Sequence, residues 1–239
     1  MDAFLRYLLL ALLAAAPAAA SRAQDSLSPL KAKAVDLCES PSACGGLGKL
    51  RLLGALELPA HSVNGLRFSG LSGLAWNEDD NLLYALADHG ALFHLRPVFH
   101  NGRLADVTLL HTASLIDPGT RKPVKWRRSD AEGMDILNGR NGRKGDAELV
   151  VSFEGDPRIA RYRPDGQFIA DVPLSDPLRN IRNHRYNKML EAVCVHPREG
   201  VLTAPEEPLD GGTGTARLYR ADLPAVGAQV DAMQHLGAA

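Results

Sequence analysis

The sequence predicts an all-β fold, a β-propeller of which about three blades are recognisable, and therefore an incomplete ring. Apolar, partly β-branched segments are short and are separated by Asn-Gly, Asp-Gly and Glu-Gly pairs that mark turns. A pattern of strand, acidic residue and strand recurs about every sixty residues, and no helical period is evident after the N-terminal segment. Long-period repeats of small antiparallel sheets are typical of β-propellers.

The repeat is clearest at three short segments that begin at Ser72, Glu132 and Glu191. Glu132 follows Ser72 by 60 positions, and Glu191 follows Glu132 by 59. In every unit the next apolar run ends in an acid, and these acids are Asp88, Glu154 and Glu206. The alternative is a β-sandwich with coincidental similarity between segments. The threefold match of strand, acid and strand favours the propeller.

The number of units raises a problem of closure. Three units lie between about residue 65 and the C-terminus, whereas propellers close with at least about four blades. An open arc of sheets exposes faces and edges that other structure should cover.

The first 23 residues are predicted to be a secretory signal peptide. A short n-region with Arg6 precedes an apolar stretch that ends in Ala18-Ala19-Ala20, a small-residue cleavage pattern. The alternative is an uncleaved anchor, although the apolar run is short for a membrane span. We therefore expect an exported protein, periplasmic or secreted, that has no membrane contact after cleavage.

An exported protein folds in an oxidising compartment, where cysteines can form disulfides. In the predicted N-terminal extension, residues 24–64, Cys38 and Cys44 bracket a short Pro-containing loop and are predicted to form a disulfide. Cys194 lies among apolar residues and is predicted to be buried and reduced. The propeller domain is predicted to span residues 65–239.

Composition excludes several classes of partner. The formal net charge is −1 and aromatic residues make up 5% of the chain. This balance gives no reason to expect a nucleic acid or an anionic membrane surface as partner. A small ester or phosphate substrate stays possible, and the oligomeric state is left open.

Several motifs resemble a known family. The segments "GLSGLAW", "DAEGMDIL" and "VVSFEGDPRIARYRPDG" resemble exported bacterial proteins described as esterase-like, phytase-like domain proteins. The resemblance covers roughly residues 50 to 223. It implies a propeller similar to the calcium-dependent phytases, which hydrolyse phosphate monoesters with calcium held by carboxylates around a central channel. The chain departs from the family at Phe68-Ser69-Gly70, where two glycines are expected, and in its missing later blades.

Acidic residues are the candidate metal ligands. The first strand of a propeller blade lines the channel, and residues i and i+2 of a strand share a face, so Asp130 and Glu132 should point the same way and Asp135 the other. Carboxylate oxygens suit calcium or magnesium, and calcium is the predicted cofactor. Glu132 and Glu191 are also the predicted catalytic residues. The predicted metal ligands are Asp88, Asp130, Glu132, Glu154, Glu191 and Glu206.

Two arginines recur after the acids of the second strands. Arg158 and Arg217 are predicted to bind a substrate oxyanion in a bidentate manner. The alternative is a structural role, in which Glu154 forms an ion pair with Arg158, and Glu206 forms one with Arg217.

Three functions remain open from the sequence. The first is an exported, metal-assisted hydrolase of phosphate or other esters, of the phytase-like type. The second is a non-catalytic propeller that binds a ligand or a protein, because a fold does not determine a function. The third is an inactive, truncated relative whose site no longer assembles.

Overall fold

The computed structural model describes residues 28–37, 49–125, 128–174, 178, 188–209, 217–223 and 234–235. This part of the chain is nearly all-β, with essentially no helix, and is organised as several small antiparallel sheets. Among the described residues, no helix is long and apolar enough to cross a membrane. The predicted fold class is therefore confirmed, as an open arrangement of sheets.

The first sheet has five strands, because a short N-terminal strand adds to its outer edge. From the outer to the inner edge its strands are β1 (Ser28–Pro29), β9 (Arg103–Ser114), β8 (Ala91–His100), β7 (Leu82–Ala87) and β6 (Leu71–Asn77).

The second and third sheets have four strands each, and the strands follow one another in chain order. The second sheet consists of β10 (Ala131–Leu137), β11 (Glu148–Phe153), β12 (Arg158–Tyr162) and β13 (Phe168–Val172). The third sheet consists of β14 (Leu190–His196), β15 (Gly200–Pro205), β16 (Tyr219–Ala221) and β17 (Gln234–His235).

The three sheets stack face to face, and the second sheet is covered on both faces. Val151 and Phe153 of β11 pack in the core shared with the first sheet, whereas Val150 packs in the core shared with the third. This double coverage explains why β11 is a continuous apolar run and does not alternate apolar with polar residues. The acids that follow the second strands therefore lie at the end of a buried apolar layer.

The inner strands β6, β10 and β14 each carry a β-bulge at the same position of the repeat. The register shifts across Ser72 in the first sheet, across Glu132 in the second and across Glu191 in the third. A bulge inserts one unpaired residue and changes the direction of its side chain. The three positions that align best in the sequence are thus the three bulge residues.

A glycine beside the bulge lets neighbouring inner strands approach closely. A Cβ on Gly73 would lie 2.7 Å from the Cβ of Met134 in the next sheet. A Cβ on Gly133 would lie 2.7 Å from Ser152 Oγ and 2.9 Å from the backbone N of Val193 in the third sheet. All three distances are shorter than those that real Cβ atoms show, so the close packing around Gly73 and Gly133 requires glycine at both positions.

The N-terminal segment packs on the first sheet. Leu30, Val63 and Phe68 join the core of that sheet's outer face, and the Phe68 and Phe93 rings meet edge to face at 4.8 Å. This segment also contains two small two-stranded sheets, formed by strands β2 (Lys33–Ala34) with β3 (Leu56–Glu57) and by the hairpin of β4 (His61–Val63) with β5 (Leu66–Phe68). The division at residue 65 into extension and propeller stays a prediction.

The prediction that Cys194 is buried is wrong. Its side chain is exposed because it lies beside the carboxylate of Asp135 on β10 and not in an apolar core; partial burial, and then Asp135, raise the pKa of its thiol. Its apolar neighbours Val193 and Val195 pack in the core shared with the second sheet. Cys38, Cys44 and the predicted signal peptide lie outside the described residues.

We predict that Gly133→Ala destabilises the fold by about 1–3 kcal/mol, because the new methyl group forces the second and third sheets apart. Chemical denaturation measures this loss. Gly119→Ala is the matched control, since its Cβ meets only Asp117 Oδ1, at 3.3 Å, and should change stability far less. Equal effects from the two substitutions would contradict close packing at Gly133.

Candidate functional site

One backbone hydrogen bond recurs in every sheet and fixes the acid that follows the second strand. The acid's N–H donates to a carbonyl just before the inner strand, at 2.8 Å in all three sheets. This bond holds each acid beside its own inner strand, at the end of the sheet where the bulges lie. The pairs are Asp88 with Gly70, Glu154 with Asp130, and Glu206 with Met189.

The sheets contribute carboxylates unevenly. The first sheet supplies Asp88, since Gly70 and Ser72 stand where the second sheet has acids. Within the described part of the chain there are two groups of three acids, and in each group the candidate ligand oxygens lie within 4.8 Å of one another. The groups are Asp130 with Glu132 and Glu154, and Glu154 with Glu191 and Glu206. Glu154 belongs to both, so the two candidate ligand sets are adjacent.

Glu154 is the buried centre of this cluster. It follows β11, is only 3% exposed, and its Oε1 accepts a hydrogen bond from Met189 N at 3.0 Å. Met189 precedes the inner strand of the third sheet, so the carboxylate joins two sheets through main chain. Glu154 is therefore a component of the cluster and not a solvated hairpin tip.

Crowding and burial change the charge state of the two bulge glutamates. Burial, and then the neighbouring Glu191, Asp130 and Glu154, raise the pKa of Glu132 to about 7. Burial, and then Glu154 and Glu206, raise the pKa of Glu191 to about 7. Each shift reflects the cost of keeping a charge away from water and close to like charges. At neutral pH, without a cation, both side chains are therefore partly protonated.

The pKa values of Asp130 and Glu154 are also raised, in both cases mainly by burial. Asp88 adds to the effect on Asp130, and the hydrogen bond from Met189 opposes it at Glu154. Carboxylates from all three sheets thus influence one another electrostatically.

The two margins of the cluster have basic partners. Asp88 Oδ1 lies 2.9 Å from His89 Nδ1 on one side. On the other side, Lys188 forms an ion pair with Glu206, which raises the pKa of the lysine. Lys188 was not recognised in the sequence because it lies outside the repeated strands. Its only signal is its place two residues before β14.

Arg158 does not join the carboxylates. Its guanidinium lies 3.6 Å from the centroid of the Phe153 ring and donates to the carbonyls of Asp156 and Arg128. Burial lowers its pKa. Among the described residues the alternative Glu154–Arg158 pair is not formed, and the substrate role of Arg158 is left without geometric support.

Arg217 lies half-buried two residues before β16. Glu206, its partner in the alternative structural ion pair, pairs with Lys188. The role of Arg217 in binding a substrate stays a prediction.

The donor set fits a hard divalent cation. All the grouped atoms are carboxylate oxygens, the ligands that calcium and magnesium prefer. A cation would also remove the repulsion that raises the pKa values of Glu132 and Glu191. The cluster can therefore hold a metal ion.

Comparison with protein families identifies the family of the chain. A family model described as phytase-like, with esterase-like activity of phytase, matches residues 66–236. This match covers more than half of the chain and includes the inner strands, the five grouped acids and Asp88. The chain belongs to this phytase-like family. No match to a curated protein was found.

We predict that the cation-free protein loses stability as pH rises from about 5 to 8. A raised folded-state pKa stabilises the protein fully below the unfolded pKa, and this contribution is lost as pH rises through about 7 for Glu132 and Glu191. We expect a loss on the order of 2 kcal/mol, measured by urea denaturation in EDTA.

Glu132→Gln, which removes one of the titrating groups, should flatten this pH dependence. Glu57→Gln is the matched control, since Glu57 is exposed on β3. A wild-type protein whose stability rises between pH 5 and 8 would show that the glutamates are not crowded.

Proposed function

We propose that this chain is an exported, cation-assisted hydrolase of phosphate or other esters that acts at the carboxylate cluster. One observation carries the proposal, namely the pair of three-acid groups that share the buried Glu154. Calcium is the proposed cation, since the ligand set is made only of oxygens. Membership of the phytase-like family supports ester hydrolysis as the reaction class, and the predicted signal peptide supports export.

The acids of the cluster differ in burial, and their proposed roles follow from this difference. Glu154 is fixed by the Met189 N–H and would hold a cation without moving. Glu132 and Glu191 are half-buried, with pKa values of about 7, the range that suits a general base at neutral pH. When one acid group binds a cation, the bulge glutamate of the other group remains available to take a proton.

The bound cation would supply charge neutralisation and polarise an ester or phosphoryl oxygen. The glutamate that is not a ligand would take a proton from water, whose oxygen bonds to phosphorus or to the acyl carbon. The ester bond would then break, and the leaving alkoxide would take up the proton that the glutamate received from water, which returns the glutamate to its carboxylate form. Lys188, beside Glu206 at the margin of the cluster, provides a positive charge that would attract an anionic ester.

A non-catalytic role has one specific observation in its favour. Arg158, the predicted oxyanion-binding side chain, is committed to Phe153 and to main-chain carbonyls. A propeller that binds a cation without hydrolysis is thus the second candidate. It predicts stabilisation by calcium with no turnover.

We predict that calcium raises the melting temperature and supports hydrolysis of p-nitrophenyl phosphate or p-nitrophenyl acetate. A ligand at 100 times its Kd stabilises the native state by about 2.7 kcal/mol. Glu154→Gln should abolish the calcium-dependent shift and lower turnover by about 10²-fold or more. Glu57→Gln should retain both.

The two readouts separate the candidates. Stabilisation that depends on Glu154, without turnover of either ester, would support the binding role and contradict the hydrolase. Turnover that persists unchanged in EDTA or in Glu154→Gln would place the reaction outside the cluster.

A further inference from the structure

Asp130 and Glu154, which belong to the same three-acid group, lie at the end of the second sheet. Asp130 directly precedes β10, and Glu154 directly follows β11. Besides the hydrogen bond from the Glu154 N–H to the Asp130 carbonyl, the carboxylate of Asp130 accepts a hydrogen bond from the N–H of Gly155. Beyond these bonds both segments leave the strand ladder, so the separation of the two acids depends on what holds their flanks.

An ion pair joins the two flanks. Arg128 lies two residues before Asp130, and Asp156 lies two residues after Glu154. The Nη1 atom of Arg128 donates to Asp156 Oδ2 at 2.8 Å. This ion pair closes a ring that contains both acids and the hydrogen bonds between their segments. The two acids are therefore held on one side by the strand ladder and on the other side by Arg128.

Arg158 supports the same ring from the side of the sheet. Its Nη2 atom donates to the carbonyl of Arg128 at 2.5 Å, and its Nη1 atom donates to the carbonyl of Asp156 at 3.0 Å. The Arg158 side chain is 12% exposed, and its guanidinium lies over the ring of Phe153, the last residue of β11. Arg158 thus connects the backbone of both flanks to the apolar layer of the second sheet.

Asp117 holds Arg128 from the segment that connects the first two sheets. The Nε atom of Arg128 donates to Asp117 Oδ2 at 2.5 Å, and the Asp117 side chain is only 8% exposed. The other oxygen of Asp117 accepts the N–H groups of Gly119 and Thr120 at 3.0 and 2.8 Å. Leu115, two residues earlier, is buried in the core between the first two sheets. The guanidinium of Arg128 is therefore fixed in place by a buried carboxylate on an anchored segment.

The two contacts of Arg128 require a guanidinium and suit a local role. Its Nε and Nη1 atoms reach two different carboxylates, whereas a lysine presents all its donors from one nitrogen. Among the described residues, Asp117 and Asp156 belong to neither three-acid group, so this guanidinium does not neutralise the cluster. The Arg128 side chain is 46% exposed, and exposed ion pairs contribute little to global stability. What the network fixes is the position of the segments that carry Asp130 and Glu154.

We propose that Arg128 is a positioning residue of the carboxylate cluster, which bridges Asp117 and Asp156 and thereby holds Asp130 and Glu154 at the separation that lets them bind one cation. It contacts neither the cation nor the substrate and acts through the backbone on either side of the two acids. Arg158 supports it in this role. The inference rests on the cation site of the proposed function and does not require hydrolysis.

Amide hydrogen exchange in the cation-free protein tests the positioning without reference to activity. Arg128→Ala should lower the protection of the Glu154 and Gly155 amides, which both donate to Asp130, by about 3- to 10-fold. Amides of the β11–β12 ladder should keep their protection, and the urea midpoint should change little. Arg140→Ala is the matched control, because it removes an exposed ion pair with Glu78 at the other end of the sheets and should leave both amides unchanged.

Calcium titration calorimetry on the full chain tests the consequence for the site. Arg128→Ala should raise the Kd for calcium by about 10-fold or more, the usual effect of removing a group that orients metal ligands, and Arg140→Ala should not. Arg128→Lys should recover only part of the affinity, because one nitrogen cannot reach both carboxylates. Excess calcium should restore the turnover of Arg128→Ala to the wild-type value, a recovery that a generally destabilised protein would not show.

The two measurements separate failure of this role from failure of the proposed function. Asp156→Asn, which breaks the ion pair from its other side, should have the same two effects and serves as the second variant. Unchanged amide protection or an unchanged Kd in both variants, while the wild-type protein binds calcium, would overturn the role of Arg128 alone. A wild-type protein that binds no calcium would overturn the cation site and this role with it. A raised Kd without turnover in any variant would support the positioning and contradict the hydrolase.

Discussion

A single extra residue in each inner strand determines how the sheets stack and where their charges lie. The bulges at Ser72, Glu132 and Glu191 break the strict alternation of the strand and turn one side chain out of the sheet-to-sheet interface. The small residue that follows, as at Gly133, then lets the next inner strand approach. Close stacking and a line of inward glutamates are therefore two consequences of the same backbone feature.

This geometry has an electrostatic cost that points to a ligand. The stacking that buries Glu154 and anchors it to Met189 N also partly buries Glu132 and Glu191 and brings them close to other carboxylates; burial, and then these neighbours, raise their pKa values to about 7. Like charges held together without compensation destabilise a fold. Protonation of a glutamate relieves this repulsion, and so does a divalent cation bound between the carboxylates. The catalytic and the cation-binding roles of the cluster thus follow from one set of contacts.

The sequence predicted the repeat, and because equivalent positions of stacked units lie close together, five of the six predicted acids, all except Asp88, fall into the two groups. It did not predict the β-bulges that direct these side chains, because Asp130 and Glu132 were placed on one face by the simple alternation of a regular strand. The role of Arg158 depends on stacking over Phe153, a tertiary contact that strand patterns do not specify. The exposure of Cys194 and its contact with Asp135 are tertiary features that its apolar sequence neighbours do not indicate.

The central claim is that the bulge glutamates are crowded into a cation site, and carbon NMR titration of the glutamate side-chain carboxyls tests it most directly. In the absence of divalent cations, the signals of Glu132 and Glu191, assigned through their glutamine variants, should titrate near 7. Saturating calcium should move the pKa of the glutamate that becomes its ligand below the ordinary glutamate value of about 4.3. Titration of both near 4.3 without calcium, with no change on its addition, would contradict the claim.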